Sequence, residues 1–156
     1  MLKQLETRRE HDNKRELQDK VVDTVIEKHA FIVPDALVMR QVAHQIEHAR
    51  EGLRRQGIDP DRMPWDYGKM IAELRLGAEK AVRRTLLLEA IAEREGLVPA
   101  EADVDAEVEK IAGASQRPAP AIRRMMEKSG DLVALRHGLR DRMTLDVLVA
   151  NAKITG

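Results

Sequence analysis

KMIAELRLGAEKAVRRTLLLEAIAERE, residues 69–95, holds no proline and a single glycine, Gly77. An apolar stripe runs through Ile71, Leu74, Ala78, Val82, Leu86 and Ile91, and Leu87 and Leu88 widen it. Such steps fit the 3.6-residue turn of an α-helix and not the alternation of a strand. Charged residues fill the opposite side. Gly96 stands where such a helix would stop, because glycine enters the left-handed conformation without a Cβ clash. At 1.5 Å per residue the helix would be roughly 40 Å long. A stripe of that length must be covered, and the second and last helices of the chain are the expected cover. At least two of Leu86, Leu87 and Leu88 are expected to be buried.

Toward the N-terminus, residues 1–29 read as one helix. Leu2 and Leu5 open it, but residues 6–16 (ETRREHDNKRE) contain no apolar side chain. That stretch is a solvated helix or disorder. Glu10 with Lys14 and Glu16 with Lys20 are four apart with the acid first, which favours the helix. The stripe resumes at Leu17, Val21, Val22, Val25 and Ile26. An apolar connector follows, AFIVP over 30–34, in which Val33 precedes proline and is pushed to extended geometry. Pro34 and Asp35 then open a second helix. Its stripe is Val38, Val42, Ile46, Ala49 and Leu53, and Gly57 ends it. Residues 58–68 (IDPDRMPWDYG) are a loop rich in turn formers. That loop also carries Met63, Trp65 and Tyr67. These either pin it onto the helices or form a contact surface.

Toward the C-terminus, Leu97-Val98-Pro99 repeats the pattern of Ile32-Val33-Pro34 before an acid-led helix over about 100–112, with Val104, Val108 and Ile111 on one face. Pro118 and Pro120 mark a break. A short helix with Ile122, Met125 and Met126 runs to Gly130, and a last helix spans about 131–151. Its stripe is Leu132, Leu135, Leu139, Met143, Val147 and Ala150, and Leu145, Leu148 and Val149 make its end apolar nearly all round. The chain reads as all-α, with about six helices.

Composition narrows the function. Its 27 basic and 27 acidic residues among 156 cancel. A general nucleic-acid or anionic-membrane binder needs a basic excess, so neither partner is expected. There is no cysteine, hence no disulfide framework and no thiol chemistry. No apolar run approaches a membrane span, MLKQLETRRE is not a signal peptide, and a cytoplasmic setting is expected. Phe31, Trp65 and Tyr67 are the whole aromatic content.

One motif looks catalytic. His44-Gln45-Ile46-Glu47-His48 fits H-x-x-E-H, in which two histidines bind zinc and the glutamate is the base. On a helix wheel, however, His44 and His48 lie about 200° from Val42 and Ile46 and face solvent. No metal and no cofactor is expected. There is no glycine-rich phosphate loop, and neither Ser115 nor Ser129 stands in a nucleophile context. Arg54-Arg55, Arg83-Arg84 and Arg123-Arg124 could meet phosphate, but acids surround the first two doublets. No catalytic constellation is visible, and the chain is not expected to be an enzyme.

Certain segments, in this order, resemble a known family. They are the charged first helix leading to VVDTVIEKHAFIVPDALV (21–38), AEKAVRRTLLLEAIAEREGL (78–97), EADVDAEVEKIA (101–112) and LRDRMTLDVLVANAKIT (139–155). Together they resemble the C-terminal chaperone domain of trigger factor, the bacterial ribosome-associated folding factor. The resemblance covers nearly the whole chain and rests on diffuse apolar patterns. It implies an elongated helical body with two protruding arms, cradling unfolded or nascent apolar polypeptide without a nucleotide. The family's ribosome-docking and prolyl isomerase domains have no counterpart here. Residues 1–156 are thus expected to be one helical domain, excised or from a truncated homologue, and to reach the ribosome only through a part not in this chain. The resemblance leaves room for a weak homodimer. A departure is the scarcity of aromatics, and Arg123 and Arg124 interrupt the apolar face near Ile122.

Within that resemblance two clusters are expected to bind clients. Ile111, Ile122, Met125 and Met126 flank the break at 117–120, as the tip or inner wall of an arm would. Met63, Trp65, Tyr67 and Met70 form the second. Methionine is flexible and polarizable and adapts to many partners. The plainer alternative for any one of them is a place in the core. Two rival functions stand beside the chaperone: a structural helical module packing on a fixed partner, and a zinc hydrolase through His44, Glu47 and His48.

Overall fold

A computed structural model of the chain describes residues 2–29 and 31–155, with side-chain surroundings for 8–29 and 31–152. The elements are α1 (Leu2–Lys28), α2 (Asp35–Arg55), a turn of 3-10 helix (Pro60–Arg62), α3 (Tyr67–Arg94), α4 (Glu101–Ser115), α5 (Ala119–Ser129) and α6 (Asp131–Thr155). No strand occurs among the described residues. The protein is all-α, as the helical periodicity requires. The side chains of Leu2 and Leu5, and all of Ala30, lie outside the described residues.

The helix ends follow from a few residues. Asp66 caps α3: its Oδ1 accepts from the Lys69 N–H at 3.0 Å, and its carbonyl accepts from the Met70 N–H at 3.0 Å. The helix therefore begins at Tyr67, before Gly68, where glycine had masked the start. Pro34 is not the first helical residue but an extended cap at ψ 129°, whose carbonyl accepts from Leu37 and Val38. Three helices stop alike. Ile58 donates to Leu53 and Gly57 to Arg54; Leu97 donates to Ala92 and Gly96 to Glu93; Arg117 donates to Ala112 and Gln116 to Gly113. Each is a Schellman close with its cap residue in the left-handed region. Gly57 and Gly96 take φ of 78° and 62° freely, whereas Gln116 takes 54° with a side chain attached.

Backbone contacts group the chain into two compact units, one of Ile26–Leu87 and one of the remainder on either side of it. In the first unit, Val38, Val42 and Ile46 of α2 bury against Ala78 of α3, with Val33, Met70, Ile71 and Leu74 packed around them. Here α2 covers the α3 stripe as expected. Ala49 is exposed and Leu53 half-buried, so the seam ends near Ile46.

In the second unit, Val104, Val108 and Ala112 of α4, Ile122 and Met126 of α5, and Leu132 and Leu139 of α6 form one cluster. Three sequence readings need correction here. The α4 line continues to Ala112, and Ile111 is 36% exposed. Leu88 is buried, but Leu86 and Leu87 are only half-buried. Three consecutive residues span about 200° of a helix, so one of them takes the centre of a stripe. Beyond Leu139, the buried positions of α6 are Thr144 and Val149, with Met143 and Val147 half-buried and Ala150 exposed. The fully buried Thr144 hydroxyl donates back to the Arg140 carbonyl at 2.8 Å, so no polar group is stranded. Arg140 Nε in turn donates to the Leu97 carbonyl at 3.0 Å, fastening α6 to the segment just after α3.

The polar part of α1 is helical while solvated: residues 8–17 are all exposed, Leu17 included, and the burial peaks at Val22. Glu16 and Lys20 pair at 2.8 Å, and Lys14 reaches Asp146 of α6 at 2.9 Å. The Lys20 ammonium, by hydrogen bond and charge, holds the Glu16 carboxyl below the ordinary carboxylate range.

Candidate binding surfaces

The loop before α3 is built around Arg50 of α2. Its guanidinium donates to the Tyr67 hydroxyl at 2.8 Å and pairs with Asp61, while Nε lies 3.4 Å from Glu47. Asp59 Oδ1 accepts from the Asp61 N–H at 3.0 Å. Trp65 Nε1 donates to the Pro60 carbonyl at 2.5 Å, and the Trp65 and Tyr67 rings stack with centroids 6.3 Å apart. Of the two readings of these aromatics, pinning the loop is thus realised. Trp65 and Met70 are half-buried, and Met70 packs against the α2–α3 cluster. Met63 and Tyr67 keep 42% and 45% of their surface open.

The second expected cluster divides by helix face. Ile122 and Met126, four apart on α5, are core residues at 2% and 7% exposure. They present no surface to a partner in this conformation, because α5 spends its apolar face on α4 and α6. Ile111 and Met125 stay open, Met125 by 47%. Arg123 does not interrupt this face but clamps its edge. Its Nη1 pairs with Asp105, its Nη2 lies 3.2 Å from Glu101, and its Nε lies 3.4 Å from Glu127. Arg136 of α6 also pairs with Glu101. Hydrogen bonds from Arg136 and then Arg123 hold the Glu101 carboxyl below the ordinary range. Glu107, held low by Lys110 at 2.8 Å with burial opposing, accepts from Arg142 of α6 at 3.3 Å.

Four exposed aliphatic residues were missed as candidates from sequence: Ile32 at 94%, Val98 at 76%, Leu76 at 72% and Val133 at 60%. Ile32 and Val98 carried a signal. Each sits in an extended connector before a helix, where side chains alternate sides and one must face out. Leu76 lies about 200° from both Leu74 and Ala78, so the helix wheel already turned it outward, whereas Val133, next to Leu132, is set apart only by packing. Beside Ile32, an open cleft of about 420 Å³ is lined in part by Arg75 and Arg83. Both are engaged: Arg75 pairs with Asp35, and Arg83 bonds Glu79 at 2.7 Å and the Phe31 carbonyl at 2.5 Å, its guanidinium 5.5 Å from the Phe31 ring.

The chemical alternatives find little support. His44, Glu47 and His48 are all exposed, and Glu47 is engaged by Arg54 at 2.8 Å as well as Arg50. Among the described residues no group of three or more His, Asp or Glu is arranged to hold a metal ion. Each arginine doublet has a member paired with acid: Arg54 with Glu47, Arg83 with Glu79, Arg123 with three carboxylates. No described helix is long and apolar enough to cross a membrane.

Comparison with known proteins agrees with the helix order. Trigger factor of Solibacter usitatus is 31% identical over 149 residues, 96% of this chain and 35% of that protein. Trigger factor of Anaeromyxobacter dehalogenans is 36% identical over 150 residues, again 96% of this chain and 35% of the relative. The chain thus spans about a third of the length of these relatives. A solved structure of trigger factor domains from Thermotoga maritima shares the fold, with a TM-score of 0.58 at 19% identity over 86% of this chain and 83% of that one. The family model describing the bacterial trigger factor C-terminus matches residues 1–150, and by that match the chain belongs to the trigger factor C-terminal family.

Proposed function

We propose that this chain is the polypeptide-holding part of a folding factor. It binds unfolded or nascent segments through exposed aliphatic and methionine side chains and uses no nucleotide. The observation that carries the reading is a set of large apolar side chains left open on a folded helical chain: Ile32, Leu76, Val98, Met125 and Val133 are each close to half exposed or more. Scattered apolar residues are ordinary on protein surfaces, but so many β-branched and long aliphatic chains suit weak, repeated contact with extended polypeptide. Family membership supports the same role. In this reading the surface of Met63 and Tyr67, closed below by Trp65 and Met70, is one contact and Ile111 with Met125 another. Ile122 and Met126 hold the second contact in place. The working environment is the cytoplasm, ribosome contact belongs to a part of the longer relatives not in this chain, and any homodimer is weak. Catalysis has no part in it.

A chaperone is promiscuous, and a structural module is not. Titrating the chain into two unrelated permanently unfolded polypeptides and one folded protein, with binding followed by fluorescence anisotropy, separates the two. Micromolar or weaker binding to both unfolded chains, insensitive to salt, and none to the folded one is the expected result. Binding to neither unfolded chain would overturn the proposal.

A further inference from the structure

Among the described residues α5 is the shortest α-helix, at 11 residues, and a left-handed residue stands at each side of it. It is preceded by Gln116 in the left-handed region at φ 54° and followed by Gly130 at φ 84°. Pro118 caps it in extended geometry and Pro120 lies in its first turn, so proline stiffens the start of the segment. Its buried apolar face is Ile122 and Met126, with Ala119 packed beside them, in one cluster with Val104, Val108 and Ala112 of α4 and Leu132 and Leu139 of α6. Arg124, Met125, Glu127 and Lys128 face outward. The ion pairs joining α5 to α4 are made by Arg123, with Glu101 and Asp105.

We propose that α5 is a lid lying in a client groove formed by α4 and α6, and that it occupies the groove as a client segment would. Released at Gln116 and Gly130, it uncovers the α4 and α6 residues and frees Ile122 and Met126. The segment that replaces it presents two aliphatic side chains four residues apart with a cation beside the first. Arg136 stays on Glu101 after the lid leaves, so the vacated charge is Asp105, and an incoming lysine or arginine takes it. This deepens the polypeptide-binding reading and rests on it. It also gives the buried Ile122 and Met126 a part that their closed position denies them.

The test has two arms, both on the 156-residue chain. Amide hydrogen exchange without client reads the lid alone. The amides of α5 are expected to exchange about tenfold faster than those of α4 and α6, the mark of a local opening. Equal rates in the three helices overturn the lid. The second arm uses the absence of native cysteine. Glu101→Cys with Arg123→Cys, whose side chains meet in the closed fold, joined by a short bismaleimide, staples the lid shut and leaves Asp105 in place. The stapled protein is expected to keep its helix content and melting temperature but to lose severalfold in suppressing aggregation of denatured citrate synthase, relative to the same variant unlinked. Equal suppression by stapled and unlinked protein overturns the groove while leaving the chaperone reading intact. No suppression by the wild-type chain overturns the chaperone reading, and the groove's occupant falls with it, whatever the exchange rates.

Discussion

The two compact units differ in what their arginines mostly fasten. In Ile26–Leu87, Arg50 fastens the 58–68 loop and Arg83 fastens the connector at Phe31, while Arg75 joins α3 to the first residue of α2. In the other unit, Arg123, Arg136 and Arg142 tie helix to helix over the larger apolar cluster, while Arg140 reaches irregular chain, at Leu97. The first arrangement gives a small core with ordered loops around it. The second gives a packed three-helix group whose edges are ionic. Segments without their own apolar stripe need polar fastening, whereas striped helices use ion pairs mainly to fix how they pack.

The comparison can be broken most sharply in the three-helix group. Ile122→Ala is expected to cost about 2–5 kcal/mol in chemical denaturation, since it opens a cavity among well-packed neighbours. Met125→Ala, one turn face away, should stay within about 0.5 kcal/mol. Similar costs at both would mean α5 has no buried face. The other unit gives the next effect. Arg50→Ala should cost less than Ile122→Ala, because Asp61 and Tyr67 are exposed enough for water to replace their donor. It should also shift Trp65 fluorescence to longer wavelength as the loop loosens. An unshifted spectrum would show that the aromatics hold the loop without Arg50.

Acid should separate the units further. Glu101 and Glu107 are both held below the ordinary carboxylate range by their cations. Groups with depressed folded values stabilise fully above their unfolded values and lose that contribution as pH falls through the folded ones. The α4–α6 group should therefore keep a level melting temperature from neutral pH down to the ordinary carboxylate range and lose it below. Glu101→Gln should flatten that decline, measured by circular dichroism in steps of pH. A decline unchanged in the variant would place the acid sensitivity elsewhere. The smallest effect tests the helix stops. Gln116→Gly relieves left-handed strain and should raise stability by about 0.5 kcal/mol, while Gly57→Ala and Gly96→Ala should each lower it by about 1 kcal/mol.

The helices were legible because each carries a one-faced stripe with a stop residue after it; even the solvated start of α1 kept its helix, as its acid-first spacings suggest. What sequence could not resolve was burial within a stripe. Ile111 and Ala112 are adjacent, and either continues the line from Val108; partner helices chose Ala112. Leu86, Leu87 and Leu88 are chemically identical, so only packing distinguishes Leu88. The candidate contacts suffered the same ambiguity. Ile122, Met125 and Met126 look alike in sequence, yet the orientation of α5 puts Ile122 and Met126 inside and Met125 out, and that of α4 leaves Ile111 half open. The role of Arg123 was hidden because its partners lie 18 and 22 residues away.

The central claim is that open apolar side chains on the folded chain hold unfolded polypeptide. It is tested most directly by Met63→Glu with Met125→Glu, scored together for melting temperature and for suppression of aggregation of a denatured enzyme. Both methionines are more than two-fifths exposed, so the fold should survive the charges. A melting temperature within a few degrees of wild type, with suppression cut severalfold, is the predicted result. Full suppression at an unchanged melting temperature would contradict the claim that these surfaces bind the client.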